Sequence, residues 1–388
     1  MSKKKYTAID LFAGAGGFGL GFQMSNFEVT CSVEIDKWAG ETLRNNFNHK
    51  IVNESILNYD SKSKILPVVV EMPDIIIGGP PCQGFSQAGK RDVLDPRNKM
   101  YLQFFNWVNL LRPKIFVIEN VRGILSFTNC DGDKVIDEIK LKFSSIGYGI
   151  NIWKLNSQNY GVPQSRDRVF IVGKANNEII PPPPITHSNS DENLPRFLTV
   201  NDAISDLPII RAKEGAEVLN YDQEPNNIFQ IRSRENSNYV FNHVTMKHTD
   251  RMVKRYQHII SGNSMDDISE DLDVRKRNGK GELSNIKFSL NYRHLHPDFP
   301  SFTIPAHFYS SFIHPTIPRN ITTREAARIQ SFPDNYRFYG KRTMISGKLL
   351  KKLGREEELN HLSQYNQVGN AVPPLLAFNV AEHLKKYL

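Results

Sequence analysis

Four residue types at particular spacings suggest chemistry before any fold is assigned. The first is Cys82, set in Gly78-Gly79-Pro80-Pro81-Cys82-Gln83-Gly84-Phe85-Ser86 directly after the apolar run Ile75-Ile76-Ile77. That run reads as a buried strand. A lone cysteine on a Gly/Pro-rich turn at a strand end stands where open α/β sheets place their ligands. Its thiolate can attack an electrophilic carbon and form a covalent intermediate. The competing reading is a small buried hydrophobe, the ordinary role of a free cysteine. The second is Glu119 in Ile118-Glu119-Asn120-Val121, again just past an apolar run. Such a carboxyl can act as acid, base or hydrogen-bond partner, or simply be a solvated strand end. The third is the pair Arg166 and Arg168 before Val169-Phe170-Ile171-Val172. Residues two apart on a strand share a face, so both could meet one anionic or carbonyl group, or serve a surface salt-bridge network instead.

The fourth is a ligand loop. Gly14-x-Gly16-x-x-Gly19 follows the strand candidate Tyr6–Phe12, and Glu34 ends the next strand, Phe27–Val33. Glycines let backbone approach a ligand, and the later carboxylate suits ribose hydroxyls. Read alone, the pattern fits NAD, FAD or S-adenosylmethionine. No Gly-x-x-x-x-Gly-Lys-Ser/Thr loop occurs, which argues against ATP.

The elements positioning these residues alternate. Helices are expected from about Gly19 and over Asp36–Asn46, with further strands at Ile75–Gly78, Ile115–Asn120 and Arg168–Gly173. Alternation implies a mostly parallel, doubly wound sheet. Pro181-Pro182-Pro183-Pro184 marks a boundary, because polyproline is stiff. Beyond it, from His187 to Arg319, periodicity weakens. A terminal helix is expected over Leu375–Leu388.

The 388 residues, 39% hydrophobic and 23% charged, describe a soluble globular chain of two domains. Cys31, Cys82 and Cys130 form no CxxC pair, against a disulfide framework or zinc site. No apolar stretch could span a bilayer, and Lys3-Lys4-Lys5 is followed by no apolar leader segment; cytoplasmic residence fits. A net charge of +8 permits a nucleic-acid partner.

Taken in order, DLFAGAGGFGLG (10–21), EID (34–36), GGPPCQGFS (78–86), ENV (119–121), QNYGVPQSRDRVFIVG (158–173), RNITTREAARIQSFPDNY (319–336) and QVGNAVPP (367–374) resemble the DNA cytosine-5 methyltransferases of bacterial restriction-modification type. The resemblance implies an α/β, Rossmann-like S-adenosylmethionine-dependent domain over 1–185 and 360–388. It also implies a smaller, irregular target-recognition domain over 186–340, with a basic insertion at 341–359. Cys82 would attack C6 of cytosine, Glu119 would contact the N3 edge, and Arg166 and Arg168 would hold the ring. No metal is implied. Phe12, Gly14, Gly16, Glu34, Ile35, Pro80, Asn370 and Val372 match cofactor-binding positions. The usual adenine-contacting acid is replaced in Glu54-Ser55-Ile56, leaving Ser55 or Glu54 for that contact. Gln83, Ser86, Lys90 and Arg91 fall in a basic, glycine-hinged loop suited to closing over DNA. Arg293, Thr303 and Ile304 are the recognition candidates. The implied partner is double-stranded DNA, met by a monomer. A cognate endonuclease would act on the same site without direct contact. A tRNA substrate, a non-catalytic DNA-binding protein and an NAD-dependent oxidoreductase are the other readings.

Overall fold

The computed structural model describes residues 5–81, 100–129, 132–262, 265–275, 282–283, 292–306, 308, 311–343 and 347–388. Its centre is a seven-stranded sheet: β1 (Thr7–Leu11), β2 (Glu28–Val33), β3 (Lys50–Val52), β4 (Ile75–Gly78), β5 (Ile115–Asn120), β6 (Tyr148–Asn156) and β7 (Asp167–Ala175), in the order β3-β2-β1-β4-β5-β7-β6. The first five neighbours in that order run parallel. β7 is antiparallel to β5, and β6 is antiparallel to β7. The sheet is thus mixed, with an antiparallel pair at one edge.

Alternation along the strands assigns the two faces. Ile9, Ile76, Phe116, Ile118 and Ile171 pack with Phe104, Trp107 and Phe143. Those aromatics come from α4 (Tyr101–Leu111) and α5 (Val135–Ser144), which follow α1 (Gly17–Met24), α2 (Lys37–Asn46) and the short α3 (Lys62–Ile65). On the opposite face Ala8, Ile75, Ile77, Val117 and Phe170 pack with Phe18 and Phe22 of α1, and with Leu376 and Val380 of the C-terminal helix. Helices therefore cover both faces, as a sheet apolar on both sides requires.

Between these layers and the C-terminus lie α6 (Val200–Ile204), β8 (Gly215–Asn220), α7 (Ile228–Arg234), β9 (Tyr239–Val244), α8 (Asp250–Ile260), β10 (Arg293–His294), β11 (Phe312–Ile313), α9 (Thr323–Ile329), α10 (Gly347–Lys352), α11 (Gln364–Asn370) and α12 (Pro374–Leu384). β8 and β9 form an antiparallel pair. Val200, Phe229, Ile304, Phe332 and Tyr336 from this stretch share a third apolar core with Ala13, Ala15, Leu43 and Phe47. Helix α9 is buried along its whole length, with Thr322 and Glu325 closing a reciprocal cap at its N-terminus.

Candidate active site

The C-terminal ends of β1, β2, β4 and β5 converge on one edge of the sheet. After β1 the chain turns through Phe12, Gly14 and Gly16, all at positive φ (57°, 56° and 78°). A Cβ on Gly16 would lie 2.5 Å from Phe47, whereas one on Gly14 would meet nothing within 4 Å. Gly16 is therefore packed, and Gly14 faces open space.

Glu34 closes this loop from β2. Its carboxylate accepts the Gly14 N–H and the Asp36 N–H, both at 2.7 Å. Burial pushes its pKa up, and those N–H groups pull it back. Ile35 next to it is 69% exposed, an apolar surface at a strand end. The Ser55 hydroxyl accepts the Leu57 N–H at 3.3 Å and caps a short turn, while Glu54 receives the Tyr59 hydroxyl. From the C-terminus, Asn370 is exposed at the end of α11. Val372 lies so near α1 that a Cβ on Gly17 would come within 2.3 Å of its carbonyl oxygen.

β4 and β5 bring up the second group. Pro80 is buried, and its carbonyl accepts the Asn120 side chain at 3.4 Å. Glu119 lies alongside, its Oε2 being 3.3 Å from where a Cβ on Gly79 would stand. Arg168 Nε pairs with Glu119 Oε1 at 2.9 Å. Burial raises the Glu119 pKa, and the charges of Arg168 and Arg166 oppose the rise. Cys82 lies outside the described residues, as do Gln83, Ser86, Lys90 and Arg91. The chain enters that segment from Pro81, two residues after Gly79.

The model for the C-5 cytosine-specific DNA methylases matches residues 6–386. The chain belongs to that family.

A type II methyltransferase, M.DdeI, from Desulfomicrobium norvegicum is 44% identical over 98% of this chain and 88% of its own length. The M1.HphI type II methyltransferase of Haemophilus parahaemolyticus is 33% identical over 98% and 87%. Among solved structures, a prophage-encoded E. coli chain described as a DNA modification methyltransferase superposes with a TM-score of 0.68 at 26% identity, covering 98% of this chain and 99% of that one. The protein is a DNA cytosine-5 methyltransferase.

Two of the expected site residues in this methyltransferase are held within the protein itself. Arg166 acts on Glu119 with its charge as Arg168 does, but it is held by main-chain carbonyls. It precedes β7, is 2% exposed, and sends Nη1 to the Ile304 carbonyl and Nη2 to the Gly369 carbonyl, each at 2.9 Å. Ile304, expected to read DNA, is 0% exposed and packs in the third core. Thr303 beside it donates its hydroxyl to the Ser165 carbonyl at 2.8 Å. Arg293 is half-buried, with its guanidinium 5.3 Å from the centre of the exposed Phe302 ring.

Sequence reasoning passed over Asp10. This acid in the middle of β1 is 1% exposed and accepts the Gly19 N–H at 3.0 Å. Burial pushes its pKa up to about 8. The signal was available, because a carboxylate inside an apolar strand needs a partner.

Proposed function

We propose that this enzyme transfers a methyl group from S-adenosylmethionine to C5 of a cytosine flipped out of duplex DNA, through a covalent bond between Cys82 and C6. The observation that carries the proposal is the Arg168–Glu119 pair beside Gly79, two residues before Pro81 leads into Cys82.

The loop fits the cofactor on its own chemistry. Open space in front of Gly14 admits a nucleoside. Glu34 retains lone pairs for ribose hydroxyls, and exposed Ile35 offers an apolar face to adenine. Residues 10–21 contain no lysine or arginine, which suits a cationic ligand without phosphates. Phe12, Gly16, Ser55, Pro80, Asn370 and Val372 complete the proposed pocket. When bound, S-adenosylmethionine supplies an electrophilic methyl group.

The chain's residues do the rest. The Cys82 thiolate bonds to C6, and electron density moves toward C5 and N3. A carboxyl with a raised pKa at Glu119 can hold a proton at N3, which spreads that charge. Arg168 keeps the carboxyl aimed and offers its remaining N–H groups to the ring oxygen. C5 would then take the methyl group as its bond to the sulfonium sulfur breaks, with S-adenosylhomocysteine as the leaving group. Loss of the C5 proton expels Cys82 and restores the ring. A stacked base cannot enter such a site, so the cytosine must leave the helix. Arg293 and Thr303, with Gln83, Ser86, Lys90 and Arg91, would contact DNA. Residues 186–340 would serve as the recognition region and 341–359 as a basic insertion. Action as a cytoplasmic monomer beside a cognate endonuclease completes the reading. Among the described residues, no helix is long and apolar enough to cross a membrane.

The test is transfer of labelled methyl groups to unmethylated duplex DNA and, separately, to tRNA, followed by digestion to nucleosides. The proposal requires 5-methylcytosine from DNA. Label confined to tRNA, or carried on another nucleoside, would contradict it.

A further inference from the structure

A buried polar cluster next to the site is not used by the chemistry above. Gln164 is 0% exposed. Its Oε1 accepts the Ile304 N–H at 2.8 Å, and its Nε2 donates to Gln330 Oε1 at 2.8 Å. Gln330 in turn donates Nε2 to the Val368 carbonyl at 2.9 Å. The amide orientations are fixed by their neighbours. An N–H requires the oxygen of Gln164 and a carbonyl requires the nitrogen of Gln330, which leaves one donor and one acceptor to face each other. Arg166 runs alongside, bridging the Ile304 and Gly369 carbonyls.

Each end of this strap lies beside a residue with a proposed role. Ile304 adjoins Thr303, whose hydroxyl returns to Ser165. Gly369 precedes Asn370, and its backbone is pressed so closely to the Pro305 carbonyl that a Cβ would come within 2.3 Å of it. Asn366 of α11 also donates to the Ala306 carbonyl at 2.7 Å. The approach to β7, residues 303–306, the end of α9 and the end of α11 are thus joined by buried hydrogen bonds. Such bonds fix geometry closely, because breaking one strands its partner away from water.

We propose that Gln164 is a positioning residue that holds the Thr303 segment in register with Arg168, so that DNA backbone and target cytosine are received by one rigid unit. This rests on the DNA reading above. It adds that DNA engagement, rather than cofactor binding or the chemical step, depends on the Gln164–Gln330 amide pair.

The experiment uses the full chain, with genomic DNA from a bacterium lacking cytosine methylation as substrate. Methyl transfer is measured against DNA and S-adenosylmethionine concentration for wild type, Gln164→Leu and Gln330→Leu. Gln164→Leu should raise the KM for DNA by roughly tenfold, the scale set by stranding a buried partner, and leave the KM for S-adenosylmethionine within about twofold of wild type. Gln330→Leu keeps the bond to Ile304 and should show the same split to a smaller degree. It decides the matter if Gln164→Leu does not fold. An unchanged KM for DNA in both variants, with kcat falling only as the folded fraction falls, would overturn the proposal and leave a purely structural role. Absence of transfer by wild type itself would instead remove the DNA reading beneath it.

Discussion

Arg168 reaches Glu119 because β7 runs against β5. Glu119 stands opposite Phe170 in the antiparallel register, so Arg168, two residues earlier, lies diagonally across on the same face, and its Nε closes to 2.9 Å. In a parallel arrangement the start of β7 would lie at the far end of the sheet from the end of β5. The reversed strand β7, set between β5 and β6, is what brings the cation to the acid.

Breaking that pair should cost rate rather than cofactor affinity. Glu119→Gln is expected to lower kcat by about 10²- to 10⁴-fold, the usual range for a positioned acid or base, with the S-adenosylmethionine dissociation constant little changed. Arg168→Ala removes a charge that holds the Glu119 pKa down, so the pH dependence of its residual rate should shift to higher pH. Single-turnover rates across pH, beside a cofactor titration, check both points.

Gly14 and Gly16 should separate binding from stability. Both have positive φ, where a side chain costs roughly 1–2 kcal/mol. Gly14→Ala adds only that strain but places a methyl group in the open space before the loop, so calorimetric titration should show weakened cofactor binding with a small drop in Tm. Gly16→Ala drives a Cβ into Phe47, Leu43 and the Tyr336 hydroxyl, so its Tm should fall much further.

Asp10 sets a pH dependence of stability. Its folded pKa, raised to about 8 by burial, lies above the ordinary carboxylate value of roughly 4. The folded state therefore holds this proton more tightly than the unfolded chain. The resulting stability is fully present below about pH 4 and is lost as pH rises toward 8. Asp10→Asn cannot ionise, so its unfolding free energy relative to wild type should rise from pH 4 to pH 8. Denaturant melts at the two values measure the difference, and an equal offset at both would rule the effect out.

Arg328 anchors the third core. Fully buried, it pairs with Asp334 at 2.6 Å and Asp206 at 3.0 Å. Arg328→Met leaves both acids short of a partner and should destabilise the fold by about 3–5 kcal/mol, measured by chemical denaturation.

Much of this was legible in the chain. Strands β1, β2, β4, β5 and β7 announce themselves as apolar runs, and Glu34 and Glu119 are found at the ends of β2 and β5. Edge strands were not. β3 has three residues, too few to show a period. β6 is only partly buried along Gly149–Ile152, so no face stands out in its sequence. Direction is equally silent, since an apolar strand reads the same parallel or antiparallel, and the reversal of β7 had to come from the structure. The anchoring of Arg166 and the burial of Ile304 share one cause. Both depend on residues more than a hundred positions away, beyond the reach of any local pattern.

We propose that Cys82 activates cytosine in DNA for methylation at one particular sequence. Expressing the protein and its Cys82→Ser variant in a bacterium without cytosine methylation, then mapping 5-methylcytosine across the genome at base resolution, tests it most directly. One short motif should be modified throughout by the wild type and unmodified in the variant. A wild-type genome without 5-methylcytosine, from soluble protein that binds the cofactor, would contradict it, as would equal modification by the variant.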